Sequence, residues 1–211
     1  MASQFKTFVA GDVLTASEVN SYLMGQSVIV CDSSSDYPSS PVEGMVIFDK
    51  ALNRGLFYTG SAWLPAFGSM PGCQAVLSTQ MSIADTTSTA AELDGADIWD
   101  TDGFHDPASN NTKIIIPTGL GGRYLFTARM SFVANTTGHR ILRLRVNGGS
   151  LYGYATAEGY SVDSSGMTTA YELNLAATDY VEAMGEHTRG SNLNMAACIM
   201  TCRWVSGPDP D

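Results

Sequence analysis

The chain has 211 residues, a formal net charge of -10 and only 15% charged residues, against about 25% in an ordinary soluble protein. That length holds one sandwich or barrel plus a smaller module. The acidic balance, with lysine only at Lys6, Lys50 and Lys113, argues against a nucleic-acid partner, which attracts basic surfaces.

The first pattern is a helix start. Thr15 is followed three residues later by Glu18, which fits a capping box, and Leu14 with Val19 fits the accompanying hydrophobic staple. The helix is expected from Ala16 to about Met24, stopping at Gly25. Near nine residues it is too short to stand alone, so Leu14, Val19, Tyr22 and Leu23 are expected to dock on something. Ser27 to Cys31 reads as a strand, and Asp32 to Pro41 as a loop rich in Ser, Asp and Pro. Met45–Asp49 and Leu56–Thr59 read as a hairpin over Lys50–Gly55, with Phe57, Tyr58 and Trp63 adding aromatic surface. Residues 66–72, AFGSMPG, read as a linker. The expected division is therefore 1–65, a module of short helix and hairpin; 66–72, the linker; 73–207, a larger β domain; and 208–211, a coil tail.

Beyond the linker, β-runs are expected at 73–81, 112–116, 123–134, 141–147, 151–157, 169–176, 179–186 and 194–205. The clearest lies at 123–134, where Tyr124, Phe126, Ala128, Met130, Phe132 and Ala134 alternate with Arg123, Thr127, Arg129 and Ser131. That is the period of a strand with one apolar face. Leu142, Leu144 and Val146 alternate with Arg143, Arg145 and Asn147 after a polar break containing Gly138, as in a hairpin with a longer loop. Tyr124, Phe126, Leu142, Leu144 and Val146 are the expected core. In the last run Met195, Ala197, Ile199 and Thr201 fall on one side, with Ala196, Cys198, Met200, Cys202 and Trp204 on the other. Both sides are largely apolar, so both are expected to be covered. Eight short strands with turn signals between them predict a mainly β fold.

An ordered series runs through 97–148: an aromatic-Asp-x-x-Gly-Phe stretch from Trp99 to Phe104, a strand ending at Pro117, a Gly-rich corner, Tyr124-x-Phe126, and a basic strand ending Val146-Asn147-Gly148. This series resembles the trimeric jelly roll of the complement globular head and tumour necrosis factor superfamily, over roughly Cys73 to Gly207. The resemblance implies an antiparallel jelly-roll sandwich that self-associates around a threefold axis. Tyr124, Phe126, Met130, Phe132, Met195 and Ile199 are the interface candidates. The segment Pro41, Gly44, Met45, Asp49, Phe57, Tyr58, Thr59, Gly60, Trp63, and the opening Ala10 to Asn20, are similar to tailed-phage minor tail and fibre proteins. This second resemblance implies a homotrimeric virion protein assembled in the host cytoplasm, with Leu14, Val19, Tyr22, Leu23, Phe57, Tyr58 and Trp63 attaching to other virion proteins. A host-surface glycan or protein would be met by loops such as 159–167. A head fibre or capsid-decorating spike is the neighbouring alternative, and no stalk repeat precedes the β domain. Residues 1–13 lack an apolar core of export-signal length. No apolar run suits a membrane span.

Candidate chemistry is sparse. Asp100, Asp102 and Asp106 share WDTDGFHDP with His105; Asp-x-Asp-Gly suits a calcium loop, but the remaining ligand positions are missing, so an Asx-turn loop over Trp99 and Phe104 is the expectation. His105 with Asp106 could form an acid–base pair, yet no nucleophile elbow accompanies it. Glu182 and Glu186 would be the carboxylates of an envelope-glycan depolymerase, the alternative of another class; at i and i+4 of a strand they read as surface residues. Arg140, Arg143 and Arg145 read as a solvated strand face, with an anionic-glycan site as the alternative. Cys31, Cys73, Cys198 and Cys202 match no zinc spacing. Cys198 and Cys202 on one strand would lie about 13 Å apart, beyond disulfide reach, whereas a Cys31–Cys73 bridge stays open. The expectation is no enzyme activity and no cofactor.

Overall fold

The computed structural model describes residues 9–19, 28–161 and 165–208, and the fold is mainly β. The chain divides into two compact units, with the boundary between Met70 and Pro71.

In the first unit the expected capping box is present. The Glu18 N–H donates to Thr15 Oγ1 at 3.2 Å, and the Thr15 N–H donates to Glu18 Oε2 at 2.9 Å, at the start of α1 (Ala16–Glu18). Residues 20–24 of the expected helix, with Tyr22 and Leu23, lie outside the described residues. Four strands follow: β1 (Ile29–Cys31), β2 (Val46–Asp49), β3 (Arg54–Tyr58) and β4 (Trp63–Gly68), in spatial order β1-β2-β3-β4. β1 and β2 are parallel, whereas β2–β3 is the expected hairpin. The register aligns Ile29, Ile47, Leu56 and Pro65 on one face. Cys31, Ile47 and Leu56 form the core there, with Ile29, Tyr37 and Trp63 packed against it. Asp49, itself buried, accepts from Tyr37 Oη at 2.6 Å and from the Leu52 N–H at 2.8 Å. Burial first, and then this carboxylate, raise the Tyr37 phenol above its ordinary pKa. Residues expected as a linker are mostly strand: Ala66, Phe67 and Gly68 extend β4, because Phe67 lays its ring over Gly55, where a Cβ would fall 2.2 Å from it.

The second unit contains β5 (Gly72–Val76), β6 (Met81–Ile83), β7 (Thr89–Ala90), β8 (Trp99–Asp100), β9 (Ile114–Ile115), β10 (Gly122–Phe132), β11 (Asn135–Val146), β12 (Leu151–Tyr160), β13 (Ser165–Leu175), β14 (Tyr180–His187) and β15 (Leu193–Ser206). One sheet has the order β13-β10-β15-β5-β8, with β6 also on β15. The other is β12-β11-β14-β7, with β9 also on β14. The first and last main strands are thus neighbours, and each sheet draws alternately from both halves of the chain. That is the double Greek key of a jelly roll. The single run expected at 73–81 breaks into β5 and β6, and β7 and β8 are too short for any periodicity to mark.

The core lies between the sheets. β10 alternates buried and exposed from end to end, with Tyr124, Phe126, Met130 and Phe132 at 0% exposure. Leu142 and Leu144 face them from β11, while Val146, at the strand end, is half-buried. Phe104, Tyr124 and Trp204 pack edge to face, with ring centroids 5.7 and 5.4 Å apart, the arrangement aromatic quadrupoles favour. The β11–β12 hairpin turns on Asn147 and Gly148 at φ 49° and 69°, the conformation of a type I′ turn, for which Asn-Gly is the preferred pair.

Leu144 has no exposed surface. Leu144→Ala is expected to lower stability in denaturant titration by about 2–5 kcal/mol; a loss below about half a kcal/mol would show that this phase is wrong.

Candidate functional site

Strand phase decides which side chains are offered outward. On β10 the outward set is Arg123, Leu125, Thr127, Arg129 and Ser131, opposite to the buried aromatics. On β15 the phase changes along the strand. Ser131 pairs with Ala197 but Phe132 with Met195, so a bulge at Ala196 takes up one residue. A bulge places two residues against one and inverts alternation beyond it. Leu193 and Met195 therefore point into the sandwich, and after the bulge Cys198, Met200, Cys202 and Trp204 do so. Ile199 is turned outward and is 37% exposed.

This corrects most of the interface candidates. Tyr124, Phe126, Met130, Phe132 and Met195 are fully covered by their own chain and have no surface left for another molecule. Ile199 alone of the six lies on an open face. The expectation that Met195 and Ile199 share a side fails at the bulge, which no residue type at 193–199 announces.

The open face spans β13, β10, β15 and β5. Across it Leu125 lies between Glu172 and Arg203, Thr127 between Ala170 and Thr201, and Arg129 between Thr168 and Ile199. Ile199 and Val76 are opposite, and Gln74 Nε2 donates to Thr201 Oγ1 at 2.9 Å. Leu125 and Val205 are 41% and 48% exposed. Arg129, Ser131, Ala197 and Ile199 line a shallow depression of ≈ 130 Å³. Arg203 stacks over the Trp99 ring at 4.8 Å, and Arg123 lies 3.6 Å from Glu172. The surface is a broad mixture of small, apolar and arginine side chains, not the wholly apolar face that the last strand suggested.

A second open face belongs to the first unit. Opposite its core, the register brings Val30, Phe48 and Phe67 into one row and Val46, Phe57 and Leu64 into another. Val30 is 64% exposed, Phe67 48% and Phe57 36%. Of the attachment candidates, Phe57 is on this face. Trp63 is part of the unit's core, and Tyr58 packs on it at 5.2 Å between centroids. Leu14 is 46% exposed and Val19 half-buried.

The polar clusters resolve into local structure. Asp100 accepts the N–H groups of Asp102, Gly103 and His105. Asp106 accepts those of Ala108 and Ser109. Both serve as Asx turns, as expected. Among the described residues no three His, Cys, Asp or Glu side chains converge as a metal site. The partner of His105 is Asp97, at 2.7 Å, rather than Asp106. Glu182 is taken by Arg145 Nε at 2.8 Å, and Glu186 lies 3.5 Å from Arg143, so these four residues form cross-strand ion pairs. Arg140 shares the inward face with Leu142 and Leu144 and is wholly buried. Its guanidinium donates to the carbonyls of Asn135 at 2.9 Å, Thr137 at 2.9 Å and His139 at 3.2 Å. Burial, and then the charge of Arg189, lower its pKa. The basic cluster is consequently one buried scaffold residue and two paired arginines, which leaves no array for an anionic glycan.

Sequence reasoning missed two further features. His187 is fully buried, with Nε2 3.0 Å from the Ile83 carbonyl and Nδ1 accepting from the Arg189 N–H at 3.3 Å; a lone histidine at a strand end carries no signal. Cys73 and Cys202 are directly opposite one another on β5 and β15, a pairing visible only once strand order is known.

No protein-family model and no curated protein sequence matches the chain. Among solved structures, the chain is similar to the PRD1 vertex protein P5, at 19% identity and a TM-score of 0.54, over 66% of this chain and 100% of that one. The globular domain of zebrafish complement 1qA protein aligns at 11% identity and a TM-score of 0.48, over 66% and 99%. Murine APRIL aligns at 10% identity and a TM-score of 0.47, over 64% and 100%. The first of these likenesses is one of fold.

The bulge makes a direct prediction. Met195→Lys buries an unpaired charge and is expected to cost about 3 kcal/mol or more. Ile199→Lys is expected to keep the β spectrum in far-UV circular dichroism and to cost about 1 kcal/mol or less in folding. Equal losses would place both residues on one face.

Proposed function

We propose that the chain is a non-enzymatic structural protein of a tailed-phage virion, a homotrimer of the minor tail or short fibre type. The observation that carries this reading is the open face of the β13-β10-β15-β5 sheet. Four strands present small side chains, with Leu125 and Ile199 exposed beside Arg203 and Arg129, over a jelly roll whose own core is already closed. A face that needs no further cover for folding, yet exposes Leu125, Ile199 and Val205 among small and charged side chains, suits contact with copies of the same chain. Its arginines are the cationic type enriched at interfaces, and Glu172 on the same sheet supplies an opposite charge.

In this reading the first unit is the anchor to other virion proteins. Its sheet carries the apolar rows of Val30, Phe48, Phe67 and Val46, Phe57, Leu64 opposite a small core, and a unit of about 65 residues buries only about 60% of its unfolded surface by itself. The second unit is the outward knob, where a host-surface glycan or protein is met at hairpin ends. Of the expected 159–167 loop, 159–160 belong to β12 and 165–167 to β13, and 162–164 lie outside the described residues. The likeness to a vertex protein favours a second reading in the same class, a capsid-decorating spike. Engagement of Glu182 and Glu186 by arginines speaks against the depolymerase alternative.

Light scattering on the purified chain is expected to give three times the 22.4 kDa chain mass, and Ile199→Lys is expected to shift that mass towards the monomer. A clean monomer of the unaltered chain at micromolar concentration contradicts the trimer. Antibody labelling of intact particles then separates tail from head; absence of label on any particle contradicts the virion assignment.

A further inference from the structure

We infer that Cys73 and Cys202 are a latent disulfide, a thiol pair placed to become a covalent tie between the first and last strands of the jelly roll. The two residues are Cα partners in the β5–β15 ladder. Backbone bonds at Trp204 to Pro71 and Leu77 to Cys198, two and four residues away, set the ladder's phase. They make 73 and 202 a hydrogen-bonded pair, for which Cα atoms stand about 5.5 Å apart. That Cα spacing falls within the disulfide range, whereas the Cβ atoms of such a pair stand about 5–5.5 Å apart against about 3.5–4.5 Å in a disulfide, so closure draws the two strands together by about 1 Å. The Sγ atoms are already 3.7 Å apart, with both side chains pointing into the sandwich and neither exposed. The close approach is built in at the preceding residue. Gly72 has no Cβ, and one placed there would lie 2.3 Å from the Cys202 carbonyl oxygen.

The other cysteines lack such a partner. All four are free thiols. Cys31 directs its Sγ to the Asp36 carbonyl at 3.6 Å. Cys198 lies on the same strand as Cys202, about 13 Å along it, and burial pushes its thiol up to about 12.

Bond formation removes two protons and two electrons from the pair, so it needs an oxidant, and a small-molecule disulfide such as oxidised glutathione supplies one. A thiolate of the pair attacks one glutathione sulfur and expels a glutathione thiolate. The second cysteine then attacks the mixed disulfide and expels the other. The product is one protein disulfide and two reduced glutathiones. In the closed fold this is slow: the thiol contact with Cys202, and then burial, raise the Cys73 pKa, and the thiolate is the attacking species. β5 has only the two-residue β8 on its far side, so access comes when β5 opens or before it docks. The tie spans 129 residues of sequence. Closing so long a loop constrains the unfolded chain most strongly, and it fastens the two strands from which the unit would otherwise unzip.

The test is refolding of the full chain with oxidised glutathione, followed by alkylation of remaining thiols and peptide mapping under non-reducing conditions. A Cys198→Ala variant is mapped in parallel, because Cys198 and Cys202 share a peptide. The expected result is a Cys73–Cys202 linked peptide, alkylated Cys31 and Cys198, and a thermal midpoint raised by roughly 5–15 °C over the reduced chain. The link is expected to vanish in Cys202→Ser and to persist in Cys31→Ala. Four alkylated thiols after oxidative refolding, or a dominant link between any other two cysteines, would overturn the inference. So would an unchanged or lowered midpoint in the linked chain.

Discussion

The pairing of β10 with β15 sets the phase of the second unit. These two strands run antiparallel through the middle of one sheet, and everything else in that sheet hangs on them: β13 pairs with β10, and β5 and β6 pair with β15. Because side chains alternate with period two, one slipped residue would send a whole row of aromatics outward. The bulge at Ala196 is the point where the slip is taken up. It lets Leu193 and Met195 serve the core beside β6, while Cys198 to Trp204 serve it beside β5. The outward row that begins at Ala197 follows from the same inversion, so core and open face have one origin.

Polar groups inside the sandwich are placed where the ladder falters. The pairing of β11 with β12 is interrupted between Asn135 and His139, and Arg140 donates to the carbonyls of Asn135, Thr137 and His139, the last of which also accepts from the Thr188 N–H. A planar guanidinium supplies several donors in a fixed fork, which suits three carbonyls on one bulging turn. A buried charge is costly unless it is hydrogen-bonded, so Arg140 is tolerated because the bulge needs donors. At the same end of the unit His187 bridges the Ile83 carbonyl and the Arg189 N–H. Side-chain chemistry that looks functional in a list of residues is, in both places, repair of interrupted backbone pairing.

Strong local periodicity was legible in the sequence. The alternation at 123–134 and 141–147 located β10, β11 and the face each buries, but the hairpin expected between them is not formed, because β10 and β11 belong to opposite sheets. Thr15 with Glu18 marked a capping box, whereas Asn147 and Gly148, expected as the end of a strand, form the β11–β12 turn. These signals are local: each is decided within a few residues by steric and hydrogen-bonding preferences. What stayed hidden is non-local. Parity along 193–205 appears continuous, and only the partner strand reveals that Ala196 is skipped, so Met195 and Ile199 were grouped wrongly. Tyr124, Phe126, Met130 and Phe132 were recognised as one apolar row. Whether such a row faces its own second sheet or another subunit depends on which sheet closes over it. The same holds for Cys73 and Cys202, 129 residues apart, and for Arg143 and Arg145, whose partners arrive on β14.

In the proposed trimer, one face of the β13-β10-β15-β5 sheet is sealed within the chain while the other is sealed by further copies. Hydroxyl-radical footprinting across a dilution series tests it residue by residue. Phe126, Met130 and Met195 are expected to resist labelling at every concentration. Leu125, Ile199 and Val205 are expected to resist it when associated and to label strongly once diluted to monomers. Labelling of Leu125 and Ile199 that is strong at every concentration would contradict the account, as would protection of Met195 that is lost on dilution.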